Sequence, residues 1–247
     1  MTPENEATIP PPPAGMSEIS RLTGVFFEPG KTFEDIAQRP TFIVPLLLVM
    51  VFSLVYMTFY SQHVGWERQV RHQIETSKQA AQQTPEQREQ AIQIGAKFAP
   101  IVGYAIPIIV PVIYVIISAV LLGVVKIMSA PTTFKQVFAV MSYSGITGIV
   151  FMLLAIAVMF MKSPDDFDLQ NPLAFNLGAA LDPNGSKFLY TLGTSLDVFV
   201  IWRIILIAMG LKAAGGKNMS FTGALMAVLI PWLVWILCAA ALAGLRG

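Results

Sequence analysis

The sequence predicts an all-α polytopic membrane protein: a bundle of five transmembrane helices with short amphipathic helices ahead of it. Three observations carry this prediction. Hydrophobic residues fill 55% of the 247 positions and charged residues only 13%, about half the charge of a soluble domain. The apolar residues gather into five runs, each near or above the roughly 20 residues a helix needs to cross a bilayer. Those runs are apolar throughout, whereas barrel strands would alternate apolar and polar positions. The mean hydropathy is +0.64. Lys+Arg 16 against Asp+Glu 15 leaves a net charge of +1, which excludes a basic nucleic-acid binder. A single cysteine, Cys238, excludes a disulfide framework within the chain.

Residues 1–16 read as a disordered, proline-rich tail. Pro10 to Pro13 form a stiff, solvated tract. The charges ahead of it are Glu4 and Glu6, so no signal peptide is expected. Residues 17–40 read as two interfacial amphipathic helices. Ile19, Leu22, Val25 and Phe26 recur at helical spacing. Pro29-Gly30 reads as a turn, Thr32 as the cap of the second helix with Asp35 three residues on, and Arg39-Pro40 as its end. Phe33 and Ile36 share one side of that helix. Phe26, Phe33 and Ile36 are therefore the candidate interface contacts, turned to the headgroup layer or to a protein partner.

The membrane domain, 41–247, carries spans expected at about 43–60, 98–125, 138–161, 188–211 and 221–245. Residues 61–97 between the first two spans read as a polar helical hairpin. Glu67/Arg71 and Arg71/Glu75 are opposite charges four apart, and Trp66, Val70 and Ile74 make a narrow apolar seam. Thr84, Pro85 and Gln87 predict a capped restart that runs into the second span. That span holds Pro100, Pro107 and Pro111. Pro107 and Pro111, four apart, share a face, and each removes a backbone donor. A helix broken there would need polar groups to satisfy the freed carbonyls, and Tyr104, Tyr114 and Ser118 are nearby. Asp165, Asp166 and Asp168 make the connection 162–187 acidic, but it lacks the glycine and glutamate of a calcium loop.

Asp197 and Arg203 are the only ionisable residues well inside a span, which makes them functional candidates. Six positions on one continuous helix would set them about 240° apart and preclude a direct pair. Asp197 then reads as a helix cap or a polar contact to Ser142, Tyr143, Thr194 or Ser195, with an ion or proton site as the sharper reading. Catalysis finds no support. His63 and His72 lie outside the spans, Ser142-Tyr143-Ser144-Gly145 lacks a leading glycine, and one in-span acid cannot form a carboxylate dyad. No metal, cofactor or catalytic residue is expected. Ser144/Gly148, Gly223/Ala227 and Ala240/Gly244 permit close helix approach within the bundle or between copies, so self-association stays open.

Orientation rests on the basic residues. The connections 126–135 and 212–220 carry Lys126, Lys135, Lys212 and Lys217 and no acids. Five spans place both on the side of the N-terminus; the basic residues on the two sides are nearly tied, seven against eight, and the two short, purely basic connections tip the N-terminus to the cytoplasm.

Four stretches carry a family resemblance. The run from Arg21 through Gly24-Val-Phe-Phe-Glu-Pro-Gly30 to Arg39-Pro40, with Pro45-Leu-Leu after it, resembles the start of the membrane domain of the Yip family in its bacterial members. Residues 133–144, 171–178 and 196–202 running on to Gly210-Leu-Lys212 resemble that family's third span, a connection and its fourth span. Asp197 and Trp202 lie in the last of these. The resemblance implies an integral membrane protein with five spans and a cytoplasmic N-terminus. Eukaryotic members are associated with Rab-type GTPases and vesicle traffic. The Asp-Leu-Tyr-Gly-Pro signature of many of those members is absent here, so that role is not carried over.

The expectation is a non-enzymatic protein of the bacterial cytoplasmic membrane. It would act through lipid or a membrane or cytoplasmic protein partner at the cytoplasmic face, using 17–40 and 61–97 as contact surfaces. The alternative is a small transporter or channel built on Pro107, Pro111 and Asp197, with Trp202 and Arg203 as further candidates.

Overall fold

A computed structural model describes residues 15–75, 82–169, 171–182 and 185–246. Most of the expected tail, 1–14, and the tip of the polar hairpin, 76–81 with Lys78, lie outside the described residues. Among the described residues the chain is helical: α1 (Glu18–Phe27), α2 (Pro29–Gln38), α3 (Ile43–His63), α4 (Trp66–Glu75), α5 (Pro85–Ile127), α6 (Phe134–Ser144), α7 (Thr147–Met161), α8 (Lys187–Ser195), α9 (Val198–Gly215) and α10 (Phe221–Arg246). The all-α, five-span reading holds. Ile43–His63, Pro85–Ile127, Phe134–Met161, Val198–Asn218 and Phe221–Leu245 are each long and apolar enough to cross a membrane. Only 22% to 44% of each apolar window is buried inside the chain, so most of this apolar surface faces outward, as a lipid solvent demands.

Three polar links sort the connections by end of the bundle. Arg68 Nε reaches Asp165 Oδ1 at 3.0 Å, joining the hairpin to the acidic connection after α7. Asn218 Nδ2 donates to Ser129 O at 3.1 Å, joining the two short basic connections. Gln136 Nε2 donates to Ala37 O at 2.8 Å, tying α2 to the start of α6. The α1–α2 collar and the hairpin thus stand at opposite ends of α3. Both were expected at the cytoplasmic face; an odd number of spans between them does not allow it.

The capping box of Thr84 and Gln87 starts α5 as expected. The helix then runs unbroken for 43 residues with Pro100, Pro107 and Pro111 inside it. The break that the transporter reading would need at these prolines is absent, as the ordinary occurrence of proline in membrane helices allows. Ser118 Oγ is buried with no hydrogen-bond partner rather than satisfying a freed carbonyl. The hairpin folds on itself: Val70 packs on Gly95, Trp66 on Gly103, and Arg71 joins Glu67 at 3.0 Å and Glu89 at 3.1 Å rather than Glu75.

The collar also departs from expectation. α2 begins at Pro29, which takes the first helical position. Thr32 lies inside the helix, its hydroxyl donating to Glu28 O, and Asp35 serves α1 instead of a capping box. Ile19, expected on the apolar face, is 74% exposed, whereas Val25, Phe33 and Ile36 are wholly buried. Phe33 meets Gly210 of α9 and lies beside Val140 of α6. Phe33 and Ile36 are therefore core residues and not interface contacts, while Ile19 and Phe27 of α1 stay exposed.

Candidate functional site

The fourth span is Val198–Asn218, shorter than expected at its start. The sequence favours one helix over 188–211, but α8 ends at Ser195 and α9 begins at Val198. Phe188 lies beside Gly244 near the end of α10. The break at Leu196–Asp197 therefore stands immediately ahead of the fourth span, with α8 packed on the end of α10.

Asp197 is extended (φ −99°, ψ 141°) and caps α9. Its Oδ1 accepts from Phe199 N at 2.8 Å and Val200 N at 3.3 Å. These backbone donors, not the hydroxyls of Ser142, Tyr143, Thr194 or Ser195, are its partners. Val198 N donates to Phe175 O at 3.1 Å, holding the break against the connection that folds back over it.

A cavity of about 290 Å³ opens at this point. Its polar lining is Thr147, Asn171, Asn176, Thr194, Asp197 and Arg203, set among Phe151, Leu173, Phe199 and Val200. The break overturns the angular argument. On a continuous helix Asp197 and Arg203 would diverge; with Asp197 outside α9, both face one cavity. They form no ion pair with each other. Arg203 is half-buried and has no hydrogen-bond or ion-pair partner among the described residues.

Trp202 stands behind this wall. It meets Phe26 edge-on at 5.5 Å between ring centroids and Phe199 at 6.5 Å. Phe26, half-buried against Trp202, thus connects the collar to the cavity's aromatic wall and is no open contact. Pro107 and Pro111 lie on α5, away from the cavity.

A second polar cluster escaped sequence reasoning. Arg21, 3% exposed, donates from Nε to Asp35 Oδ2 at 2.7 Å and from Nη1 to Thr41 Oγ1 at 2.8 Å. Asp35 Oδ1 also accepts from Met16 N at 3.1 Å. The Thr41 hydroxyl donates to Glu18 Oε1 at 2.8 Å, and the Tyr143 hydroxyl donates to Glu18 Oε2. Burial works against the Arg21 charge, but the hydrogen bonds to Asp35 and Tyr143 outweigh it and raise its pKa above the ordinary arginine value. The cluster clamps α1, α2 and α6 together. The Glu18/Arg21 spacing was a visible signal; Tyr143, more than a hundred residues away, was not.

Two acids of the connection after α7 also have partners. Asp165 pairs with Arg68, and Asp166 accepts from the Ser163 hydroxyl at 2.6 Å. No group of three or more His, Cys, Asp or Glu able to hold a metal occurs among the described residues.

Fold and site together define a polytopic helical membrane protein with a polar cavity at the start of its fourth span. The model of the Yip1 domain matches residues 23–243, and the chain belongs to that family. The membrane protein YknW of Bacillus subtilis (strain 168) is 27% identical over 205 residues, which cover 81% of this chain and 80% of that one. No solved structure matches the chain.

Proposed function

We propose that this Yip1-domain protein is non-enzymatic and acts by contact, with protein or lipid, to organise the membrane it sits in. Its setting is the bacterial cytoplasmic membrane with the N-terminus in the cytoplasm. The supporting observation is the collar. The Arg21 cluster and the buried Phe33 and Ile36 hold α1 and α2 rigidly on the bundle, while Glu28, Lys31, Glu34 and Gln38 stay exposed. A charged face that is fixed in place presents its groups to a partner without an ordering cost. The short basic connections at the same end support the orientation.

The transporter alternative drew on Pro107, Pro111 and Asp197 acting together. The unbroken α5 and the distance of those prolines from the cavity give it no added support.

The test is photocrosslinking from positions 31 and 34 in native membranes, paired with solute flux on reconstituted protein. The expected result is a discrete crosslinked partner, lost on Lys31→Glu with Glu34→Lys, and no flux. A flux abolished by Asp197→Asn, with no crosslink, overturns the proposal.

A further inference from the structure

The outward face of α9 runs into a second cavity at the collar end of the bundle. Ile201 and Ile205 are 45% and 40% exposed. At about 100° per residue they share one sector of about 80° with Met209, Lys212 and Gly216, on the side of the helix opposite Phe199, Val200 and Arg203. The last three residues of that sector line a cavity of about 420 Å³, which Gly30 and Glu34 of α2 and Phe221 of α10 also line. Lys212 and Glu34 are exposed, and their side chains have no hydrogen-bond or ion-pair partner among the described residues, each other included.

The depth of this arrangement matches one leaflet. Lys212 stands near the end of the span Val198–Asn218. The eleven steps from Ile201 to Lys212 rise about 16 Å, close to the roughly 15 Å of hydrocarbon in half a bilayer. An acyl chain that ends at Ile201, near the midplane, therefore has its headgroup at Lys212. A lysine at that level holds phosphate as a point charge. A soluble anion would use the cavity alone; the apolar strip that continues from it selects a ligand with an acyl chain. Glu34, across the cavity, is an acceptor for the ammonium or hydroxyl donors that follow the phosphate in lipid headgroups.

We infer that strip and cavity form one site for a glycerophospholipid, with the phosphate on Lys212 and an acyl chain along Met209, Ile205 and Ile201. The inference rests on the reading of the chain as a contact protein and names the lipid class it contacts.

Photolabelling of the full chain in maltoside detergent tests it, with phosphatidylglycerol carrying a diazirine on its acyl chain and, in parallel, diacylglycerol with the same chain and no phosphate. Peptide mapping by mass spectrometry should place the phosphatidylglycerol label on residues 201–209. Omitting the phosphate should lower that label about fivefold, the equivalent of one basic contact to a headgroup. Lys212→Gln should lower the phosphatidylglycerol label equally and leave the diacylglycerol label unchanged. Lys126→Gln, which removes a lysine from the same end of the bundle but not from the cavity, should change neither. The two lipids compared on the wild type keep the test independent of how any variant folds. Labelling of 201–209 no stronger with the phosphate than without it, or an equal fall in both lysine variants, overturns the inference while leaving the collar crosslink, and with it the contact reading, intact. Displacement of the label by excess glycerol 3-phosphate, which has no acyl chain, overturns it in favour of a solute site.

Discussion

Arg21 is a charged residue buried in the collar. It is nearly sealed from solvent, and its guanidinium divides its donors between Asp35 and Thr41. Removing one partner of such a buried pair leaves the other uncompensated, at a cost of roughly 3 kcal/mol. Arg21→Met should therefore lower the melting temperature of the detergent-solubilised protein markedly, and Arg21→Lys should restore only part of it, because a point charge cannot serve both acceptors in the same fork geometry. A melting temperature unchanged in Arg21→Met would show that the cluster does not hold the collar. Asp197 shows the same logic at smaller scale. Its neighbours in sequence identified it as a candidate cap; only the observed break made that cap the start of a helix.

Among the elements, α9 is the hub, and glycine lets it be so. At Gly210 an added Cβ would lie 2.4 Å from Val140 Cγ1 and 3.0 Å from Phe33 Cδ1, both on side chains with no exposed surface. Gly210→Ala should destabilise the protein by about 1–3 kcal/mol through overpacking. Gly123 on α5 has open space around it, so Gly123→Ala should be neutral or slightly stabilising. Thermal melts of the two variants side by side make the comparison; equal shifts would refute close packing at the α2–α6–α9 junction. At the start of α5, backbone N–H bonding and the Thr84 side chain hold the Glu86 carboxyl below its ordinary value of 4.5. A depressed carboxyl stabilises the folded state fully above that ordinary value and loses its effect as pH falls through the lower folded value. The amides of residues 86–88 should exchange faster with hydrogen isotope on acidification through that window, after correction for intrinsic rates. No change there would remove Glu86 from the cap.

For the whole molecule, the decisive property is that the two sets of connections lie at opposite ends. In a Cys238→Ser background, a cysteine at Asn218 and one at Asp166 should show opposite labelling by a membrane-impermeant reagent in intact cells. With the N-terminus in the cytoplasm, the cysteine at Asp166 is the one labelled. Labelling of both, or of neither, would break the five-span topology; labelling at Asn218 alone would invert it. The apolar belts of α5 and α10, with Ile108 and Trp235 more than half exposed, require this arrangement, because only lipid tolerates such surfaces at this extent.

The number of spans, their order and the polar hairpin follow from the chain alone, because the cost of unsatisfied backbone in lipid forces long apolar helices that a one-dimensional pattern reveals. The Yip-type resemblance was carried by local runs for the same reason. What covers each apolar face did not follow. Lipid-facing and core-facing residues are equally apolar, so Phe33 and Ile36 gave no sign that α9 and α6 would bury them. The prolines of α5 left a break open as an alternative, and the helix accommodates all three, while Leu196–Asp197 broke a run that composition alone read as one span. Only the tertiary structure joined Tyr143 to Glu18 and brought Asp197 and Arg203 to one cavity. Both depend on where separate helices are packed, and pairing energies across such distances leave no periodic trace in the sequence.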